Sequence, residues 1–337
     1  MNTPFPKSAV AIPLLPDDFH LVLILIFIQS VMLTFLARRL LSSIPVVGAV
    51  LALCFLLVRI APGSPFATER SLDPATQAML EKKYGLSGTL PEQLFRYDSN
   101  VLRGDLGDSL KFRGRTVGEI IGQSLPRSLL LGSIAFTLAL GLGIPLGAWA
   151  AAHHGKKTDS LLNSFALLTL STPTFVLAPV SVLLFSFGLK LLPPAGWGTL
   201  SQLILPAICL AIPFVGVCAR LTRGGLLETL GSDFIRTARA KGVSENKLVY
   251  LHALRPAILP LVAYAGPLAA NILTGSLVIE EVFAIPGIGQ FFVNGVINRD
   301  VFLVSGVVLV YCLLLLFFNL LADWLTAMLD PRIRLSS

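Results

Sequence analysis

Little in this sequence could make or break a bond. The four histidines, His20, His153, His154 and His252, lie at the ends of apolar runs or between them. None has the H-E-x-x-H spacing that puts two imidazoles and a general base on one helical face. The run HHGKKT, residues 153–158, lacks the first glycine of a G-x-x-x-x-G-K-[ST] phosphate loop. Cys54, Cys209, Cys218 and Cys312 all fall within or at the end of apolar runs, where a thiol is a small apolar filler and no disulfide framework follows. No catalytic constellation, metal site or bound cofactor is expected. The densest functional grouping is cationic: RTARAKG, with Arg236, Arg239 and Lys241 set among Thr237, Ala238 and Ala240, closed by Gly242 and followed by Ser244. Such a group recognises, either by entering a groove on a partner protein or by resting on anionic headgroups.

The elements around that grouping read as two short helices. Ser232 is expected to cap the first, Asp233 to sit in its first turn, Arg239 and Lys241 to complement its C-terminal dipole, and Gly242 to end it after about nine residues. Ser244 is expected to cap a second helix running through NKLVYLHAL. A helix this short is marginal in water, so something must hold it. Phe234, Ile235 and Ala238 are its apolar side chains, for a membrane surface or a partner's groove.

Composition says where these elements sit. Mean hydropathy is +0.79 and 13% of residues are charged, against about a quarter in soluble domains. The chain is therefore a membrane protein. Runs long enough to cross about 30 Å of hydrocarbon occupy residues 40–58, 128–152, 161–189, 191–219, 256–279 and 301–322, with a seventh candidate at 21–37. Arg38 and Arg39, Lys156 and Lys157, the seven basic residues between Arg220 and Arg255, and Arg332 and Arg334 mark one side as cytoplasmic. Both the N-terminus of the core and the C-terminus then lie inside. The segment 62–127 lies outside, where length makes its charges a weak guide. The net charge of +7 follows from this bias, so no nucleic-acid partner is implied.

The spans contain Pro145, Pro173, Pro179, Pro206, Pro213, Pro260 and Pro267, as bendable helices would. Their polar groups are hydroxyls and amides. Thr169, Thr172, Asn271 and Thr274 are candidates for lining a translocation path, although such groups also glue helices together. Glu280, Glu281 and Asp323 stand only at span edges. The midplane carboxylates of an ion-coupled secondary transporter are thus missing, as is a channel filter. If a solute moves, its energy enters from another subunit.

The ordered set of motifs adds a resemblance. RTARAKG with HALRPAILP resembles the cytoplasmic EAA-type loop of ABC importer permeases, in the form of the dipeptide and oligopeptide subfamily. RRLLSSIPVVGAVLALCFLLVRIAPGSPF, LRGDLGDSL, IPLGAWAA, VIEEVFAIPGIGQ and LDPRIR resemble further parts of that family, from about Met32 to Arg334. The resemblance implies an all-α membrane protein with six core spans of the type I ABC importer permease fold, translocating peptides. Nickel chelates or other small solutes are the alternatives within the family. It also implies two cytoplasmic ATPase subunits, a second homologous permease and an extracytoplasmic solute-binding protein, besides the surrounding lipid. Residues 236–242 with Ser244 would be the coupling element within a cytoplasmic loop 220–255, and 62–127 would help to receive the binding protein. The remaining divisions are a first core span at 32–61, a permease core at 128–323 and a tail at 324–337. Residues 1–31 are read either as carrying an extra helix or as lying outside a native chain that begins MLTFLARRLL at Met32.

Overall fold

The structure, a computed structural model, describes residues 17–60 and 73–329. In hydrocarbon a chain must satisfy its own backbone hydrogen bonds, and the apolar runs do so as helices. The first, α1 (Asp17–Ile60), joins the 21–37 candidate and the first core span in one continuous helix. The expected boundary at 31/32 therefore falls inside an element, while residues 1–16 lie outside the described residues. Two short helices follow, α2 (Pro74–Lys83) and α3 (Leu90–Leu102). The next, α4 (Val117–Ala152), begins well before the apolar run, because Thr116 and Glu119 form a capping box there.

The run at 161–189 is not one straight span. Its halves, α5 (Lys157–Ser171) and α6 (Thr174–Ser181, continued by a π turn over Val182–Gly188), meet at 101°. Pro173 has no N–H to give and disfavours helical backbone at Thr172, whose φ of −87° and ψ of 114° are extended. The run expected at 191–219 is realised as α7 (Leu200–Leu230), which starts later and continues past the basic Arg220 and Arg223. Then come α8 (Asp233–Ala240), the short α9 (Glu245–Lys247), a π turn (Leu248–Ala253), α10 (Leu254–Ala257), α11 (Leu259–Val282), α12 (Ile288–Ile297) and α13 (Val301–Leu329). Among the described residues five helices are long and apolar enough to cross a bilayer, and the bent α5–α6 pair makes a sixth if it counts as one crossing. The protein is all-α.

The core forms around α7. It packs most extensively on α4, and also on α5, α10 and α11. Small residues permit the approach: a Cβ on Gly147 of α4 would lie 2.3 Å from the Ala219 carbonyl of α7. The cluster includes Leu131, Ala135, Cys209, Leu210, Leu268 and Ile272, all buried. By contrast α1 is peripheral, packing on α13, and an Arg39–Asp323 ion pair joins these two helices. The bundle has two ends: one carries α8, and the other carries α2, α3 and α12.

Candidate functional site

At its own end α8 is built as a stopped helix. Gly242 has φ +82°, its N–H donates to the Arg239 carbonyl at 3.0 Å, and the Val243 N–H reaches back to the Ala238 carbonyl at 3.3 Å. This is the double closure of a Schellman motif, with Val243 and Ala238 both packed on the same apolar cluster. The helix spans eight residues. Its start differs from expectation. Ser232 has the backbone of an N-cap, but its hydroxyl donates to the Thr229 carbonyl at 2.5 Å and caps no N–H. Ser244 likewise caps through its backbone position only. Arg239 does not serve the helix dipole alone. It donates to both oxygens of Glu245, at 2.6 and 3.2 Å, and so bridges the turn between α8 and α9. That guanidinium holds the Glu245 carboxyl below the ordinary glutamate range. The second helix also differs, being an α turn, a π turn and α10 in succession.

What holds this short helix is the protein itself. Ile235 is fully buried among Leu226, Leu248, Val249, Ala253 and Ala257, with Ala238 half-buried beside it. Burial of one such side chain contributes about 1.5–3 kcal/mol, enough to fix a helix that would not persist alone. The expectation that Phe234, Ile235 and Ala238 all face outward is therefore corrected. Phe234 alone among them is exposed, at 52%. It stands with exposed Arg236, Thr237, Ala240, Lys241 and Gly242. The resulting surface is one aromatic ring among cations, with Arg236 in a solvent-exposed contact with Asp233 at 3.3 Å.

Close by lies a group that sequence reasoning missed. Asp159, at the start of α5, is buried and accepts from Arg223 Nε at 2.6 Å and Nη2 at 2.8 Å, and from the Gly155 N–H at 3.2 Å. His154 Nδ1 lies 3.0 Å from the same carboxylate. The pairing joins residues 64 apart in the chain, so no local spacing announces it. Its effect is to lock α5 to α7, with the bidentate geometry that favours arginine.

The path candidates are dispersed. Thr169 is buried, its hydroxyl donates to the Ala166 carbonyl at 2.9 Å, and a Cβ on Gly216 of α7 would lie 2.4 Å from its oxygen. It belongs to the α5–α7 contact. Thr172 is half-buried at the bend, where its hydroxyl turns back to the Leu168 carbonyl, and Asn271 is exposed on α11. The Thr274 side chain, like Arg332 and Arg334, lies outside the described residues. Among the described residues no group of three or more His, Cys, Asp and Glu could hold a metal ion.

A bundle of long apolar helices with a short, anchored, cation-bearing helix at one end is the form of a membrane transport subunit that meets a partner. The comparisons carry this further. Residues 143–335 match the family model described as binding-protein-dependent transport system inner membrane component, and the chain belongs to that family. It is 44% identical over 305 residues to the oligopeptide transport system permease protein OppB of Haemophilus influenzae, covering 90% of this chain and 100% of the relative. With the OppB of Escherichia coli K12 the identity is 42% over the same shares. With the dipeptide transport system permease protein DppB of Bacillus subtilis it is 37%, over 90% of this chain and 99% of the relative. Among solved structures, an inward-facing form of the MetNI methionine ABC transporter shares the fold, with TM-score 0.55 at 17% identity over 63% of this chain and 96% of that one. The fold is that of a type I ABC importer permease. The protein is a multi-pass inner-membrane permease subunit of a binding-protein-dependent importer, and ATP hydrolysis resides in separate subunits.

Proposed function

We propose that this chain forms, with a second homologous permease, the membrane pore of an importer for short peptides. Two cytoplasmic ATPase subunits drive it and an extracytoplasmic binding protein delivers the cargo. The chain itself binds no cofactor. The peptide assignment is supported by full-length similarity to permeases named for oligopeptides and dipeptides. No observation favours a nickel chelate.

The observation that carries the coupling assignment is the division of α8. Ile235 is turned into the permease, and Phe234, Arg236, Thr237, Ala240 and Lys241 are left outside. A helix lying on lipid presents a broad apolar face, whereas this one has a single exposed ring among charges. An ATPase groove with an apolar hollow and an acidic rim fits it better. The α8 end is then cytoplasmic, in line with Arg38, Arg39, Lys156 and Lys157, and the α2–α3 segment faces the binding protein. Thr172 and Asn271, with Thr274, are assigned to the path, and Thr169 to packing.

Uptake of labelled peptides into proteoliposomes holding the full complex tests this reading. Transport should need ATP inside and loaded binding protein outside. Uptake that persists without ATP and collapses with an uncoupler would sink it. Single cysteines at Ser87 and Ser232, in a background lacking the four native ones, test orientation: an impermeant thiol reagent on intact cells should label only position 87.

A further inference from the structure

The end opposite α8 holds two buried carboxylates with no cation paired to them among the described residues. Glu280 and Asp300 are fully buried, and among the described residues neither forms an ion pair. Each is held by donors instead, and in both cases these include a helix N-terminus, where N–H groups lack partners and the dipole favours negative charge.

Glu280, in the last turn of α11, accepts the Ser276 hydroxyl at 2.8 Å and the N–H of Gly289, the second residue of α12, at 2.7 Å. Ser128 of α4 directs its hydroxyl to the same carboxylate and accepts the Ile288 N–H at 2.9 Å. The start of α12 is thus pinned to α4 and α11 together, and Arg127 of α4 adds a bond to the Pro286 carbonyl at 2.9 Å. The two glycines of PGIG make the approach possible. A Cβ on Gly287 would lie 2.4 Å from a Glu280 oxygen and 2.6 Å from Ser128 Oγ, and one on Gly289 would lie 2.7 Å from the same Glu280 oxygen.

Beyond the other end of α12, Asp300 accepts the Leu303 N–H in the first turn of α13 at 3.1 Å. Its second oxygen accepts the Ser109 hydroxyl at 2.5 Å and the Lys111 N–H at 3.0 Å. Ser109 and Lys111 belong to the loop 105–116, whose Phe112 meets Phe291 of α12 edge-on with centroids 5.2 Å apart. The Arg115 guanidinium lies 5.7 Å from the centroid of that same Phe291 ring.

We infer that α12 transmits binding-protein docking from the α2–α3 segment to the path and onward to α8, with Glu280 and Asp300 as its positioning residues. This rests on the reading above, in which that segment receives the binding protein and α8 meets the ATPase. Asp300 and Phe291 join the loop to α12, while Glu280 and Ser128 join α12 to the ends of α4 and α11. The opposite end of α11 is separated by Ile258 alone from Ala257 of α10, which lies in the same buried apolar cluster as Ile235 of α8. A buried carboxylate that loses its donors has no water to replace them, so these joints resist opening one at a time. Displacement of the loop is then passed along α12 to α11 and so to the coupling helix.

The test uses the complete complex in lipid nanodiscs and measures basal hydrolysis, affinity for loaded binding protein, and hydrolysis stimulated by it. Glu280→Gln and Phe291→Ala should leave basal hydrolysis and affinity within about twofold of the parent while stimulation falls about tenfold, a usual size for coupling between sites. Merely structural damage would move all three together. Stimulation retained at parental level with normal binding overturns the inference and leaves the proposed function standing. Loss of binding-protein affinity in the variants overturns it too, making α12 a docking surface. A parent complex that binds no loaded binding protein removes the underlying reading instead. If Glu280→Gln fails to assemble, Phe291→Ala, which leaves both carboxylates in place, decides alone.

Discussion

At the α8 end a short helix is fixed by buried Ile235, half-buried Ala238 and the exposed Arg239–Glu245 ion pair to α9, with most of its surface exposed. At the α12 end a helix of similar length is fixed by buried carboxylates, a serine from another helix and edge-on aromatic packing. Glycine shows the same contrast. Gly242 is required by its backbone, since its φ is +82° and nothing lies within 4 Å of a Cβ built there. Gly287 has an ordinary φ of −92° and is required by the Glu280 carboxylate against it. One end is shaped to present a surface, the other to leave no slack. A partner that binds and releases suits the first arrangement, and a rigid connection suits the second.

The largest way to break the comparison is at adjacent residues of α8. Ile235→Ala should cost about 2–5 kcal/mol locally, as buried truncations do, and should speed hydrogen exchange over 232–247. Phe234→Ala should leave that exchange unchanged and weaken association of the ATPase, since exposed aromatic anchors carry about 2 kcal/mol or more of an interface. Equal behaviour of the two would erase the inward and outward assignment.

Next in size is Gly287→Ala, expected to cost about 1–3 kcal/mol by overpacking against Glu280. Thermal unfolding of the purified subunit in detergent reads this cost. Gly242→Val strains only the backbone, at about 1–2 kcal/mol. It should leave insertion intact and weaken ATPase association, and Gly242→Asn should recover most of the loss because asparagine tolerates that conformation. A Gly242→Asn variant as impaired as Gly242→Val would show that side-chain bulk matters there after all.

Ala284 sharpens the comparison from the other side. It closes α11 in a left-handed conformation, φ +51°, that L residues adopt at a cost. Ala284→Gly should stabilise by about 0.5–1 kcal/mol after the glycine's own entropy is counted, measurable as a higher unfolding midpoint. The smallest effect is the pH dependence of the Arg239–Glu245 bridge. Because the folded Glu245 carboxyl titrates below the ordinary glutamate value, its stabilisation is fully present above that value and is lost as pH falls through the lowered one. Hydrogen exchange at the α8–α9 turn, corrected for intrinsic rate, should be flat from pH 8 to 6, and a change in that interval would contradict the assignment.

The sequence by itself determined the membrane class, the stop at Gly242 and the family, because hydropathy, charge bias and turn chemistry are properties of short stretches. It pointed to Arg236–Gly242 as a recognition element but not to the face it presents. Which of Phe234 and Ile235 turns inward depends on Leu226, Leu248 and Ala257 lying opposite, and those contacts exist only once α7 and α10 are packed. The 101° bend at Pro173 had its cause in plain view, yet a proline in a span fixes neither the direction nor the size of a kink, and Pro179 in the same run is accommodated inside α6. Asp159 with Arg223, Glu280 with Ser128, and Asp300 with Ser109 were out of reach altogether, the partners standing 64, 152 and 191 residues apart in the chain (280 − 128 = 152 for the second). Tertiary structure decided those pairings, because a buried carboxylate must find donors wherever the packed helices bring them.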